Sequence, residues 1–235
     1  VPSVKDALAI LARHTLHPLL PTNVKEILDT PASEPEAGGA GQRWGVLLAD
    51  VRSALEGARD EAVRLGAEPR VMHELLKGEA RAAARRLAVA AACAGNLARH
   101  PTAKQRPLVT IFGGETTVTV TGSGHGGRNR ELALATAYSI AGMRGACALV
   151  AGTDGIDHDP DAAGAFADDT TLARAEEKGL DPTRALVEND TGPLFEALGD
   201  AFAPGATGTN VGDVAFVLAP GAEDREAEGE IPAAP

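Results

Sequence analysis

Four loops of this 235-residue chain carry the residues whose types and spacing could do chemistry. The first is Gly113-Gly114-Glu115-Thr116, which follows the apolar run at 108–112. In open α/β sheets ligands collect beyond the carboxyl ends of strands, where glycines allow close approach to the backbone. A tight turn between two strands reads equally well. The second is Gly126-Gly127-Arg128-Asn129-Arg130-Glu131, two glycines feeding the start of a helix with a guanidinium beside it. Free N–H groups, the positive end of the helix dipole and an Arg fork together suit an anion, including a phosphoryl group in transfer. The competing reading pairs Arg128 with a nearby acid. The third is Thr153-Asp154-Gly155-Ile156-Asp157, which opens a stretch holding Asp154, Asp157, Asp159, Asp161, Asp168 and Asp169 with no Lys or Arg. Carboxylates this dense repel one another unless a cation joins them, which points to Mg2+, or else they form a solvated loop. The fourth, Thr207-Gly208-Thr209-Asn210, with Asn189-Asp190 upstream, offers hydroxyls and amides suited to a polyol, a phosphate or an ordinary turn.

Two other motifs are imitations. Asp157, Asp159, Asp161 and Asp168 mimic the spacing of a calcium loop, but Ala162 stands where the sharp turn needs Gly, and Pro160 interrupts. Gly122, Gly124 and Gly127 match a dinucleotide fingerprint, yet the preceding segment alternates Thr and Val, and an acid is missing about twenty residues on, where Cys147 stands. No phosphate-binding G-x-x-x-x-G-K-[ST] occurs, which excludes a P-loop NTPase.

These loops need elements to hold them. Helical periodicity marks 7–12 and a short piece at 24–28; 30–43 is rich in Gly, Pro and Ala and reads as a linker. Runs at 44–49 and 69–75 read as strands, alternating with helices at 50–65 and 78–99 in a βαβα pattern. Pro101 and Pro107 bracket a polar stretch, placing a domain boundary at 106. Beyond it, strands are expected at 108–112, 116–121, 146–151 and 214–218. A helix capped by Asn129 runs to 140, and short helices follow Asp168, Asp181 and Thr191. The acidic tail 221–235 reads as disordered. The fold class is α/β.

Charge separates the halves. Residues 1–106 hold 15 Lys/Arg against 12 Asp/Glu, whereas 107–235 hold 7 against 21. So acidic a surface repels nucleic acid, and a phosphorylated ligand there needs a local Arg, a helix terminus or a cation. Cys93 and Cys147 sit in Ala-rich stretches and read as buried, reduced thiols, which favours the cytoplasm. No apolar run is long enough to span a bilayer, and the first residues do not follow a signal-peptide pattern.

Taken in order, the loops resemble the MOFRL domain of class II glycerate 2-kinases. The resemblance rests on GGETTVTV at 113–120, GGRNRE at 126–131, GTDGIDHDPDAAGA at 152–165, END at 188–190 and ATGTNVGD at 206–213. Upstream, Leu76-Lys77-Gly78-Glu79-Ala80 is similar to the family's LEGEA segment, and residues 1–14 to its ADALAVLERY helix. The resemblance implies the C-terminal part of a Rossmann-like domain at 1–106, then a MOFRL domain at 107–220 with a mixed sheet. The implied reaction transfers the ATP γ-phosphoryl group to the 2-hydroxyl of D-glycerate, with Mg2+, in an interdomain cleft. Arg128 would be catalytic. Gly113, Gly114, Glu115, Thr116, Gly126, Gly127, Asn129, Glu131, Thr153, Asp157 and Asn210 would bind substrate or nucleotide, with Asp154 and Asp190 assigned to the metal from charge alone. Arg130 stands where the family has Gln, Gly212 where it has Asn, and Leu48-Ala49-Asp50 where it has Gly-Ser-Asn. The family's catalytic Lys belongs to residues upstream of these, so this chain alone is expected to be incomplete, with the N-terminal half as a potential partner. Hydroxypyruvate reduction, a name also attached to the family, and a non-catalytic subunit are the alternatives.

Overall fold

The computed structural model describes residues 4–30, 45–98, 106–158 and 161–219. The linker's central residues, the polar stretch after 98 and the acidic tail lie outside them. The chain divides into two compact units at residue 46.

In the first unit, α1 (Val4–Arg13) and α2 (Thr22–Asp29) flank a 3-10 turn at His17–Leu19, and neither helix buries a residue. Its tertiary ties are polar: Lys25 Nζ donates to the Pro18 carbonyl at 2.8 Å, and His17 pairs with Asp29 at 3.2 Å.

The second unit is built on one six-stranded mixed sheet in the order β1-β2-β6-β3-β4-β5. The strands are β1 (Glu68–Val71), β2 (Leu108–Gly114), β3 (Cys147–Gly152), β4 (Gly164–Asp168), β5 (Ala201–Phe202) and β6 (Asp213–Ala219). Among the pairings of these six strands only β1–β2 is parallel. The helices are α3 (Val51–Arg64), α4 (Ala80–Ala98), α5 (Arg128–Ile140), α6 (Thr171–Glu177), α7 (Pro182–Val187) and α8 (Thr191–Leu198). On one face α4 and α5 cover Phe112, Val150, Ala215 and Val217 with Leu87, Leu132 and Leu134; on the other, Leu55 of α3 packs on Val109 and Ile111. Strand β6 shows why both faces are apolar: alternate residues 213, 215, 217 and 219 are buried on the first face, while 214, 216 and 218 are half-covered. The α/β class with a mixed sheet holds.

Several details differ from expectation. The boundary read at 106 falls between β1 and β2, which are hydrogen-bonded neighbours. Residues 45–49 form no strand, and Leu47 and Leu48 are almost fully exposed, because their backbone has no neighbouring strand among the described residues. The Thr/Val segment 116–121 is not a strand either, apart from one bridge from Thr117 to Glu79. Its Thr119 and Thr121 N–H groups go to side chains instead, and its Thr117 N–H to the Gly78 carbonyl. Strand β4 lies inside what reads as an acidic loop, since its apolar residues are only Ala and Phe between Gly164 and Asp168. Cys93 is exposed on α4 and Cys147 is partly buried, so neither thiol is sealed in the core as expected; burial raises the pKa of Cys147.

Candidate active site at one edge of the sheet

The ends of three strands meet at one edge of the sheet. Gly114, the last residue of β2, is in register with Asp213, the first of β6, which is in register with Gly152, the last of β3. Gly114 adopts φ +149, and a Cβ there would run into the backbone of Leu76. That close approach lets 76–80 zip alongside: Leu76 N–H donates to Gly113 O (2.8 Å), Glu115 N–H to Leu76 O (3.0 Å) and Thr117 N–H to Gly78 O (2.8 Å). The Glu79 carboxylate then takes Thr117 Oγ1 (3.2 Å), Thr119 Oγ1 (2.9 Å) and Thr119 N–H (3.1 Å), which holds its pKa below the usual value. These bonds replace the expected strand ladder.

Helix α5 supplies the guanidinium. Its N-cap is Gly127, not Asn129, and no side chain of the cap residue bonds back. The free N–H groups at this terminus, expected to receive a ligand anion, are taken by the chain itself: buried Asp157 accepts from Asn129 N–H (3.0 Å), Arg130 N–H (2.9 Å) and Arg130 Nε (3.3 Å). Gly127 is required there because a Cβ would collide with the Asp157 carboxylate. Burial pushes the Asp157 carboxyl above its ordinary pKa, against the pull of those donors. Glu131 also faces inward, receiving Arg81 Nε (2.6 Å) and Asn189 Nδ2 (2.9 Å). Asn189, at φ +54, accepts Thr121 N–H (2.8 Å) and Gly122 N–H (3.0 Å) with its carbonyl oxygen. Asp190 accepts His125 N–H at 2.8 Å, and Gly126 packs beside Thr191.

Arg128 faces the other way. Its Nε and Nη2 donate to the two oxygens of Asp213 at 2.6 and 3.0 Å, and Nη1 lies 3.2 Å from Glu115. The Asp213 hydrogen bonds raise its pKa, so it is charged at any working pH. Asn129 Nδ2 adds a 3.3 Å bond to Asp213. Asn129 Oδ1 and Thr116 Oγ1 are buried without a hydrogen-bond partner among the described residues.

Across the strand row, two further loops are laced together. Thr153 donates its N–H and hydroxyl to Gly212 O at 3.0 and 2.7 Å, and Val211 N–H donates back to its Oγ1 at 2.9 Å. Asp154 accepts Ile156 N–H with one oxygen and Asn210 Nδ2 with the other, each at 3.0 Å. Beside these loops a cleft of about 480 Å3 opens, lined by Ala49, Asp50, Lys77, Gly114, Glu115 and Asn210.

The structure therefore groups Gly113, Gly114, Glu115, Arg128, Asn129, Thr153, Asp154 and Asn210 at one edge, with Thr116 just beneath. Asp157 and Glu131 lie in the interior as clamps. Asp190 belongs to a separate groove beside α7, with Arg184 and His125, and shares no partner with Asp154. Among the described residues no three His, Cys, Asp or Glu side chains converge as a metal cage. The edge also holds residues absent from the sequence-based site, among them Asp50, Lys77 and Asp213, the last signalled by an acid opening an otherwise apolar strand.

Residues 108–213 match the MOFRL family model. The chain carries a MOFRL-family domain. It is 37% identical to the D-glycerate 2-kinase of Thermotoga maritima over 73% of this chain and 40% of that protein. It is 35% identical to an Agrobacterium vitis protein provisionally named a hydroxypyruvate reductase, over 92% of this chain and 48% of the relative. The crystal structure of a Thermotoga maritima glycerate kinase superposes with a TM-score of 0.70 at 32% identity, covering 92% of this chain and 50% of that one. The chain thus spans about half the length of the curated relatives it matches. The MOFRL match spans the strand row, the Arg128 helix and the lacing loops together. Among the described residues no helix is long and apolar enough to cross a membrane.

Proposed function

We propose that this chain is the C-terminal part of an ATP-dependent D-glycerate 2-kinase, and that the edge bearing Arg128 is its share of the active site. The observation that carries the reading is the Arg128 guanidinium, fixed through two nitrogens on buried Asp213 while the third meets exposed Glu115, which lines the cleft. A cation anchored in this way needs no rearrangement to meet the negative charge of a phosphoryl group in transfer. In that reaction the glycerate 2-hydroxyl oxygen bonds to the γ-phosphorus as the bond to the ADP oxygen breaks, and the hydroxyl proton passes to solvent or base. Arg128 holds the transferring oxygens. The lacing of Thr153, Asp154, Asn210 and Gly212 keeps the opposite wall in place, with Asn210 and backbone groups available to the glycerate hydroxyls.

Asp154 and Asp190 do not form a magnesium cage together, and each already accepts hydrogen bonds. Mg2+ held chiefly by nucleotide phosphates and water needs only one or two carboxylates, and of Asp154 and Asp190 it is Asp154 that lies at this edge. When bound, the ion would neutralise phosphate charge. The remaining half of the site is assigned to an N-terminal partner segment of the kind the longer relatives possess. We place the reaction in the cytoplasm, a reading supported by the two unbridged thiols.

Phosphorus NMR of the chain with ATP, Mg2+ and D-glycerate, alone and with the N-terminal half of a relative added, tests this. Formation of 2-phosphoglycerate that Arg128→Ala abolishes is expected in at least the second mixture. Its absence from both, together with NADH oxidation by hydroxypyruvate, would transfer the assignment to the reductase reading.

A further inference from the structure

Arg128 touches two carboxylates that differ in almost every physical respect. Asp213 is 7% exposed, starts a central strand, uses both oxygens on the guanidinium and receives Asn129 Nδ2 as well. Glu115 is 64% exposed, meets only Nη1, and among the described residues its carboxylate has no other partner. Its backbone is nevertheless pinned, because Glu115 N–H is bonded to Leu76 O immediately after β2. The side chain therefore has one fixed end, one exposed end, and a single contact that lies at the mouth of the cleft it lines.

We propose that Glu115 is a built-in competitor: it occupies the outward nitrogen of Arg128 in the free protein and swings into solvent when a phosphoryl anion arrives. The proposal rests on the reading of Arg128 as an anion receiver, and it reassigns Glu115 from substrate ligand to displaceable placeholder. Two anions beside one guanidinium nitrogen repel, so phosphoryl binding and the Glu115 contact exclude each other. Asp213 cannot be the one to leave, since it is buried and bound at both oxygens. An exposed ion pair is weak, and its displacement weakens anion binding only about two- to five-fold. The placeholder holds the guanidinium in position without obstructing the ligand strongly.

The test is titration of the full chain with inorganic phosphate, following the Arg128 Nε–H resonance by NMR, in wild type, Glu115→Gln, Glu115→Ala and Arg128→Ala. Both Glu115 variants should bind phosphate about two- to five-fold more tightly than wild type. Equal or weaker binding by both overturns the proposal and makes Glu115 a ligand-supporting group. Arg128→Ala separates the two layers: if it binds phosphate as wild type does, followed by phosphorus line width, the anion reading of Arg128 itself fails and takes the competitor with it. Loss of binding in Arg128→Ala with unchanged Glu115 variants sinks the competitor alone.

Discussion

Arg128 and Arg130 are two residues apart on the first turn of one helix, yet they belong to opposite regions of the molecule. Arg130 is 1% exposed and closes an internal network with Asp157, which caps the helix that carries them both. Arg128 is 36% exposed and meets Glu115, which lines the cleft. Below the edge every charge is consumed by the fold: Asp157 by Arg130, Glu131 by Arg81 and Asn189. At the edge some hydrogen-bonding capacity is left toward solvent. Polar residues packed into one motif thus divide between building the loop and meeting a ligand, and helix geometry decides which is which, since successive residues are turned by about 100°.

If that division is right, Asp157→Ala should produce the largest loss of stability. It removes the carboxylate from buried Arg130 and the acceptor of two helix N–H groups, and unfolding in denaturant should show a loss of about 3–5 kcal/mol. Arg128→Ala leaves buried Asp213 with only the Asn129 amide, so it should also lower stability, though by less than Asp157→Ala because Arg128 is itself part-exposed; its larger effect should be on the proposed phosphoryl transfer, slowed about 100- to 1000-fold in the reconstituted kinase. A large stability loss from Arg128→Ala would erase the contrast. Asn189→Ala removes the acceptor of two loop N–H groups and a donor to Glu131, and should cost about 1–3 kcal/mol in the same denaturant experiment. A pH effect sharpens the interior half of the comparison. With the folded pKa of Asp157 raised by burial, the native state keeps this proton where the unfolded chain, near 3.8, has lost it. Stability contributed at this site therefore declines as pH rises from 3.8 through the raised value and then levels. Denaturant midpoints measured across that range should lose this decline in Asp157→Asn. The smallest effect is expected at the exposed Arg64–Glu61 pair on α3, where Arg64→Ala should leave the melting temperature unchanged.

Much of this was legible in the residues. Buried strands such as β2 and β3 announce themselves as continuous apolar runs, and Asp181 before Pro182 marks the start of α7, where its side chain accepts Arg184 N–H. The order of the loops located the strand edge. What stayed hidden depends on partners remote in sequence. Nothing local to 116–121 shows that Glu79, some forty residues earlier, will take its hydrogen bonds in place of a strand. Nor does the spacing of Gly126 to Glu131 disclose that Asp157 supplies the anion at that helix terminus. Arg128 draws notice by its type and position, and the structure pairs it with two acids, as the competing reading has it; Asp213 was missed because its contact with Arg128 joins residues 85 apart.

The strand order has a consequence for how the site comes into being. Strand β6 is the last strand among the described residues but sits in the middle of the sheet, between β2 and β3. A nascent chain emerging from a ribosome can pair β1 with β2, and β3 with β4 and β5, but β2 and β3 share no strand hydrogen bonding until β6 enters between them. That final insertion delivers Asp213 to Arg128. Assembly of the Arg128–Asp213 pair is thereby made a late event that reports completion of the sheet, and a chain stalled before Val214 would leave β2 and β3 with raw edges, open to association with their counterparts in neighbouring molecules.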